Sequence, residues 1–168
     1  MASATLIEPR EVMRDSEWFK AVIGDVQVVY MDSVADSAHA RFLMALREDL
    51  DAIVPGRRRG ILYEVTERVR ISSAQRQQYA QLFREKERAL RAGTSSYALV
   101  TSSRLVRGFL TATFWFAPPP YPYSVEGSLE AGLAFLAKHQ GTIVPESVLA
   151  TYEVLKARFL PAPAGAAR

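Results

Sequence analysis

The chain has 168 residues, of which 49% are hydrophobic and 23% charged, which suits one globular domain with a full core and excludes a disordered chain. Its 21 basic and 18 acidic residues leave a net charge of +3, which favours acidic partners only mildly, and we expect no nucleic-acid partner. The absence of cysteine excludes disulfides, thiolate catalysis and cysteine-ligated metal sites.

No stretch of the chain reaches the roughly 18 apolar residues that a membrane span requires. Residues 1–18 contain Glu8, Glu11 and Asp15, and they lack the basic-then-apolar order of a signal peptide. We therefore expect a cytoplasmic protein without a membrane span.

The first predicted elements are a hairpin and a helix, which follow a loosely ordered lead-in over residues 1–15. Residues 18–31 are rich in β-branched and aromatic side chains around Gly24-Asp25, a pattern that predicts two short strands joined by a tight turn. The helix after this hairpin is expected to have Asp36 or Ser37 as its N-cap.

The stretch ILYEVTERVRISSAQRQQY, residues 61–79, is the most informative part of the chain. An apolar strand pattern at 61–65 leads through a charged connector to Ser72 and Ser73, which open a helix predicted to run to about residue 92. α/β proteins usually place their functional groups where a strand leads into the N-terminus of a helix.

The rest of the chain continues this alternation of strands and helices. The pattern predicts a strand at 97–100, a third helix from about 105 to 114, an edge strand at 121–125, a compact helix at 129–138 and a last helix at 148–160. Such alternation predicts an α/β fold with a mostly parallel sheet of four or five strands and helices packed on it. We therefore expect a single domain over residues 16–140, a C-terminal helical extension over 141–160 and a disordered tail over 161–168.

Two of the predicted strand-to-helix turns combine hydroxyl groups with arginines. In a parallel sheet the carboxyl ends of the strands meet at one edge, so we expect both turns to lie there. Hydroxyls at a helix N-terminus near guanidinium groups favour an anion pocket or a phosphorylated serine. The simpler interpretation is that each serine caps its helix, which stabilises the helix by about 1 kcal/mol. The predicted partner-binding or switch residues are Ser72, Ser73, Arg70, Arg76, Ser102, Ser103, Arg104 and Arg107.

No residue pattern in the chain indicates catalysis. His39 and His139 lie on different predicted helices, without metal-ligand spacing or a Ser/His/Asp arrangement, and we expect both to be ordinary surface side chains. Glycine-rich nucleotide loops are also missing from the sequence. We therefore expect a protein that is not an enzyme and that uses no cofactor or metal.

Residues 114–123, FWFAPPPYPY, contain five aromatic residues and four prolines. This run is either an exposed edge that docks a partner or a second copy of the chain, or a buried helix end followed by a rigid turn. A homodimer formed through the neighbouring edge strand or the last helix is one expectation that the sequence leaves open.

The strand at 61–65, the connector, Ser72-Ser73 and the long helix together resemble the STAS-like family (sulfate transporter and anti-sigma factor antagonist domains, also called SpoIIAA-like), in particular the bacterial STAS/Sec14-like proteins. The segments TSSRLVRGF and SLEAGLAFL extend the resemblance, which covers roughly residues 18–139. It implies a bacterial signalling module that binds a protein such as a kinase, with a phosphorylated serine at Ser72 or Ser73. This chain has Ile71 where the family has aspartate and Ala74 where it has glycine.

The resemblance and the residue patterns together favour a non-enzymatic regulatory module that binds another protein. The alternative is a carrier of a small ligand or lipid, with a Sec14-like apolar cavity between the sheet and its helices. A pocket of roughly several hundred Å³ would support this alternative, and a fully packed core would contradict it. The side chains expected to line such a cavity are Phe109, Phe114, Trp115 and Phe135.

Overall fold

The computed structural model of the protein describes residues 5–54, 56–104, 106–108 and 119–160. Its strands are β1 (Arg10–Arg14), β2 (Trp18–Ile23), β3 (Val26–Met31), β4 (Arg59–Val65), β5 (Thr94–Val100) and β6 (Tyr123–Glu126). The helices in this part of the chain are α1 (Asp36–Asp51), α2 (Ser73–Glu85), α3 (Glu87–Gly93), α4 (Leu129–His139) and α5 (Pro145–Phe159).

The six strands form one sheet in the order β1-β2-β3-β4-β5-β6. β2 is antiparallel to both of its neighbours, whereas β3, β4, β5 and β6 run parallel to one another. The predicted α/β fold with a mostly parallel sheet is therefore confirmed. The sheet has more than the predicted four or five strands because β1 forms within the expected lead-in. All five β1 residues are exposed, so the segment lacks the apolar alternation that indicates a strand.

The predicted hairpin is confirmed by β2 and β3, which pair along their full length from Trp18–Met31 to Ile23–Val26. Gly24 occupies the turn between them with a φ of 59°, a left-handed conformation that glycine adopts without steric cost. Both strands are buried almost throughout, because helices cover the sheet on its two faces.

Helices α1, α2 and α3 cover one face of the sheet, which we name the α1 face. α4 and α5 cover the opposite face, the α4 face. α4 lies close to the strands at Gly132, where a Cβ atom would be 2.8 Å from a methyl carbon of Val100. The two faces bury separate apolar cores. The α1-face core includes Trp18, Val29, Phe42, Leu46 and Leu82, and the α4-face core includes Phe19, Val28, Leu62, Leu133 and Tyr152.

Two predictions about helix boundaries were wrong. The single helix expected from residue 73 to about 92 is two helices, α2 and α3, which meet at Lys86. The N-cap of α1 is Ala35, without a side-chain cap, rather than Asp36 or Ser37. The Asp36 carboxylate accepts a hydrogen bond from the Gln75 side chain (3.1 Å), so a tertiary contact uses it in place of capping.

The third predicted helix begins near Arg104, and the Arg107 amide donates to the Ser103 carbonyl oxygen at 2.9 Å. The expected cavity residues Phe109, Phe114 and Trp115 lie outside the described residues. Within the described ranges, no helix is long and apolar enough to cross a bilayer, and no group of three or more side chains is arranged to hold a metal ion.

Candidate functional site

A cleft of about 590 Å³ opens at the carboxyl edge of the parallel strands, on the side of the α4 face. We name it the edge cleft. The segments that line it are the ends of β3 and β4, residues 65–68, residues 100–102, the turn at 127–130, and Leu160. The polypeptide therefore brings the turns after β4, β5 and β6 to one site, as parallel strands require.

Gly127 and Ser128 shape the edge cleft where β6 leads into α4. The Ser128 hydroxyl accepts a hydrogen bond from the Ala131 amide (3.2 Å) and caps α4. A Cβ atom at position 127 would lie 2.2 Å from a guanidinium nitrogen of Arg107. The missing side chain of Gly127 thus leaves room for Arg107 at the margin of the cleft.

A hydrogen-bonded network around Glu64 forms the floor of the edge cleft. The Glu64 carboxylate accepts from the Tyr152 hydroxyl at 2.6 Å and from the Lys156 ammonium at 2.7 and 2.9 Å. The Lys156 Nζ atom is also 5.3 Å from the centre of the Tyr30 ring. Since Tyr152 and Lys156 are one helical turn apart, their bonds to Glu64 hold α5 against β4.

Burial raises the pKa of Tyr152 far above its usual range, and the Glu64 charge adds to this effect. Burial likewise raises the pKa of Tyr30 to about 12, with the charges of Asp32 and Glu64 as further causes. Both phenols are therefore neutral near pH 7, when the Tyr152 hydroxyl donates to the Glu64 carboxylate.

A second ion pair, between Asp32 and Arg68, forms one wall of the edge cleft. Both guanidinium contacts of Arg68 go to the Asp32 carboxylate, one of them from Nε at 3.1 Å. These hydrogen bonds raise the pKa of Arg68 above its already high value. The Thr66 hydroxyl donates to the Asp32 backbone carbonyl at 2.7 Å, which fixes the turn after β4 to the end of β3.

The sequence singles out the start of α2. The polar groups there form hydrogen bonds within their own segment of the chain. The Ser72 hydroxyl accepts from the Gln75 amide (3.1 Å), and the Gln75 side chain accepts from the Ser72 amide (3.0 Å). This capping box confirms the capping interpretation for Ser72. The exposed Ser73 hydroxyl accepts from Arg76 (3.0 Å), whereas Arg70 donates to backbone carbonyls, including that of Val69 (3.1 Å).

The second hydroxyl turn contributes directly to the edge cleft. Thr101 and Ser102 line it together with residues 65–68, so the turns after β4 and β5 share one edge. Ser103 instead caps the helical turn that follows, because its hydroxyl accepts from the Val106 amide at 3.3 Å. Arg104 is exposed. Of the eight predicted site residues, Ser102 lines the cleft, and a role of the others in partner binding stays a prediction.

Phe135, the one expected cavity residue within the described ranges, is half-buried on α4 beside the α4-face core. Its ring centre is 4.6 Å from that of His139, which is exposed as expected. The expectation for His39 was wrong. His39 is only 3% exposed, its Nε2 atom is 2.7 Å from the Gln78 side-chain oxygen, and its ring packs edge-on against Tyr79.

The sequence interpretation missed the residues that build the floor and wall of the edge cleft. Two local patterns in the sequence mark the residues of the floor. Tyr152 and Lys156 have i,i+4 spacing on a predicted helix, and Glu64 is a charged residue within an apolar strand pattern. Neither pattern indicates that these three side chains meet.

No protein-family model matches the chain, and a search of curated proteins finds no match. Among solved structures, the chain is similar to an uncharacterized protein of the DUF3478 family with a SpoIIAA-like fold, from Shewanella loihica PV-4. The two chains are 13% identical, the similarity covers 81% of this chain and 98% of that chain, and the TM-score is 0.47. This likeness concerns the fold alone.

Proposed function

We propose that the protein is a non-enzymatic regulatory module that binds another protein through the carboxyl edge of its sheet. The observation that carries this proposal is the convergence of three turns, after β4, β5 and β6, on one cleft of about 590 Å³. Several residues of these turns, including Glu67, Arg68, Ser102 and Glu130, are exposed and present polar groups to a partner.

The chemistry of the floor supports binding in preference to catalysis. Glu64 is held by Tyr152 and by Lys156, and Asp32 is held by Arg68. These carboxylates therefore serve as fixed parts of the cleft lining. The raised pKa of Tyr152 argues in the same direction, since a phenol that resists ionisation is a poor general base near pH 7.

Ser73 suits a phosphorylation switch better than Ser72 does. Both serines are exposed, but the Ser72 hydroxyl closes the capping box, whereas the Ser73 hydroxyl contacts the exposed Arg76. A phosphate on Ser73 would add nearly two negative charges at a helix N-terminus beside a guanidinium group, which is a favourable position for it. It would also change the charge of the surface that continues from the edge cleft along residues 66–73.

Affinity capture from the native cell, followed by mass spectrometry, tests the proposal. We compare the wild-type protein with the edge variant Arg68→Ala/Ser102→Ala/Arg104→Ala. The matched control is Arg88→Ala/Arg91→Ala/Ser95→Ala, which removes the same side-chain types away from the cleft. We expect the edge variant to lose at least one protein that the other two retain. Equal capture by all three proteins would contradict the proposed binding edge.

A small-ligand carrier is the second candidate, and the volume of the edge cleft favours it. Because charged side chains and hydroxyls line much of this cleft, the ligand would be polar rather than a lipid. Native mass spectrometry of the purified protein tests this candidate, since a carrier is expected to show an adduct that denaturation removes.

A further inference from the structure

We propose that the edge cleft receives a lysine or arginine side chain of the protein partner. This inference rests on the proposed function and adds the chemistry of the recognised residue. It concerns the cleft itself, a polar cavity with an aromatic group in its floor, at the edge where three turns meet.

Acidic residues outnumber basic residues around the edge cleft, whereas basic residues are the more numerous in the whole chain. The chain has 21 basic and 18 acidic residues. Among the described residues that line the cleft, however, the basic residue is Arg68, whereas the acidic ones are Asp32, Glu64, Glu67 and Glu130. Lys156 neutralises Glu64 from behind, and Arg68 neutralises Asp32. Arg107 adds one positive charge at the margin beside Gly127, so Glu67 and Glu130 together leave an excess of one negative charge, which attracts a cation.

The groups in the edge cleft also complement the apolar stem and the hydrogen-bond donors of a basic side chain. A lysine or arginine has an apolar stem and a head that only donates hydrogen bonds. Val65, Val100 and Leu129 offer apolar contact for the stem. The carboxylates of Glu67 and Glu130, together with the exposed Ser102 hydroxyl, offer acceptors for the head.

The competing possibility is an anion, one of the alternatives that the sequence leaves open for this edge. The structure weakens that expectation, because Arg70 and Arg76 donate to groups of their own segment and do not line the edge cleft. Arg68 does line it, but the Asp32 carboxylate occupies its guanidinium group. An anion at Arg68 would therefore have to displace an existing ion pair while facing two exposed carboxylates. Arg107 reaches the cleft at its margin beside Gly127, and the phosphate titration tests whether an anion binds there.

Titrations of the labelled full chain with argininamide test the inference, with amide chemical shifts as the readout. Citrullinamide is the matched neutral probe, and inorganic phosphate is the anionic probe. We expect argininamide to shift the amides of Ser102, Gly127 and Ser128, with a dissociation constant in roughly the millimolar range. Citrullinamide and phosphate are expected to leave these amides unshifted, and added salt should weaken the argininamide response.

The double variant Glu67→Gln/Glu130→Gln removes two exposed charges and keeps the shapes of the side chains. It should weaken argininamide binding by roughly two- to fivefold for each carboxylate. The control Glu85→Gln/Glu87→Gln makes the same charge change on α2 and α3 and should bind as the wild type does. Cleft shifts with phosphate but not argininamide, or equal argininamide binding by both double variants, would overturn the inference.

Partner capture separates this inference from the proposed function. A protein that is lost from the edge variant but retained by Glu67→Gln/Glu130→Gln would leave the proposed function standing and overturn the inference. If the edge variant loses no protein at all, the proposed function fails, whatever the argininamide titration shows.

Discussion

Each face of the sheet holds a lysine–carboxylate pair, and the two pairs differ in what surrounds them. On the α1 face, Lys20 contacts Asp49 of α1, and the Gln27 side chain donates to the same carboxylate at 3.0 Å. The Lys20 side chain is only 5% exposed there. On the α4 face, Lys156 contacts Glu64 with side-chain exposures of 20% and 18%, and Glu64 lines the edge cleft.

The surroundings of a partly buried ion pair decide its role. Lys20 is enclosed between the sheet and α1, whereas Asp49 is 18% exposed like Glu64, and their contact serves to position that helix. Lys156 and Glu64 also position a helix, but they do so at the floor of a cavity that a partner can reach. A lysine–carboxylate pair therefore has a structural role on the α1 face, whereas on the α4 face it is also part of a candidate site. Substitutions at Asp49 and at Glu64 test this contrast.

The largest effect is expected from Asp49→Ala, which leaves the Lys20 ammonium buried without its carboxylate. Breaking a buried ion pair in this way typically costs about 3 kcal/mol or more. Asp51→Ala is the control two residues along α1, where the ion pair with Lys86 is more exposed and contributes at most about 1 kcal/mol. Urea denaturation measures both. Equal losses of unfolding free energy would mean that Lys20 is not enclosed as described.

Glu64→Gln is expected to destabilise the protein less than Asp49→Ala, by about 2 kcal/mol. It removes hydrogen bonds to a charged group, but Lys156 is the more exposed of the two lysines and can gain water from the edge cleft. Glu153→Gln, at an exposed position on α5, should change the unfolding free energy by less than about 0.5 kcal/mol. A loss at Glu64 as large as at Asp49 would erase the distinction between the faces.

Ser72→Ala and Ser73→Ala separate a capping role from an accessible hydroxyl at the start of α2. Ser72→Ala opens the capping box and should cost about 1 kcal/mol, whereas Ser73→Ala should cost less than about 0.5 kcal/mol. Thermal and urea unfolding give these values. If Ser73→Ala proves to be the costlier change, Ser73 is a structural residue and the proposed switch position is wrong.

Tyr30→Phe should make the stability of the protein less dependent on pH in alkali, because the variant lacks the Tyr30 phenol. The folded-state pKa of Tyr30, about 12, lies above the value of about 10 expected in the unfolded chain. The contribution of Tyr30 to stability is therefore complete below pH 10 and is lost as the pH rises through about 12. Urea unfolding between pH 9 and about 11.5 should show a shallower decline for Tyr30→Phe. Identical declines would contradict the raised pKa.

Much of the fold was predictable from local patterns. The hairpin at Gly24, the α4 cap at Ser128 and the capping by Ser72 each depend on residues within a few positions of one another. β1 was not predictable in this way, because its five exposed residues carry no apolar alternation. The burial of His39 was missed for a similar reason, since α2 covers it and its contact, Gln78, is 39 positions away.

The α/β alternation, the parallel edge and the polar turns at that edge are predictable from the sequence alone, because they follow from side-chain periodicity and turn chemistry. Long-range contacts in the folded chain determine which polar groups form the edge cleft. Glu64 lies 88 positions from Tyr152 and 92 from Lys156, and Asp32 lies 36 from Arg68. Such contacts depend on how the sheet brings α5 and the turns together, and no pattern within one helix or strand records that arrangement.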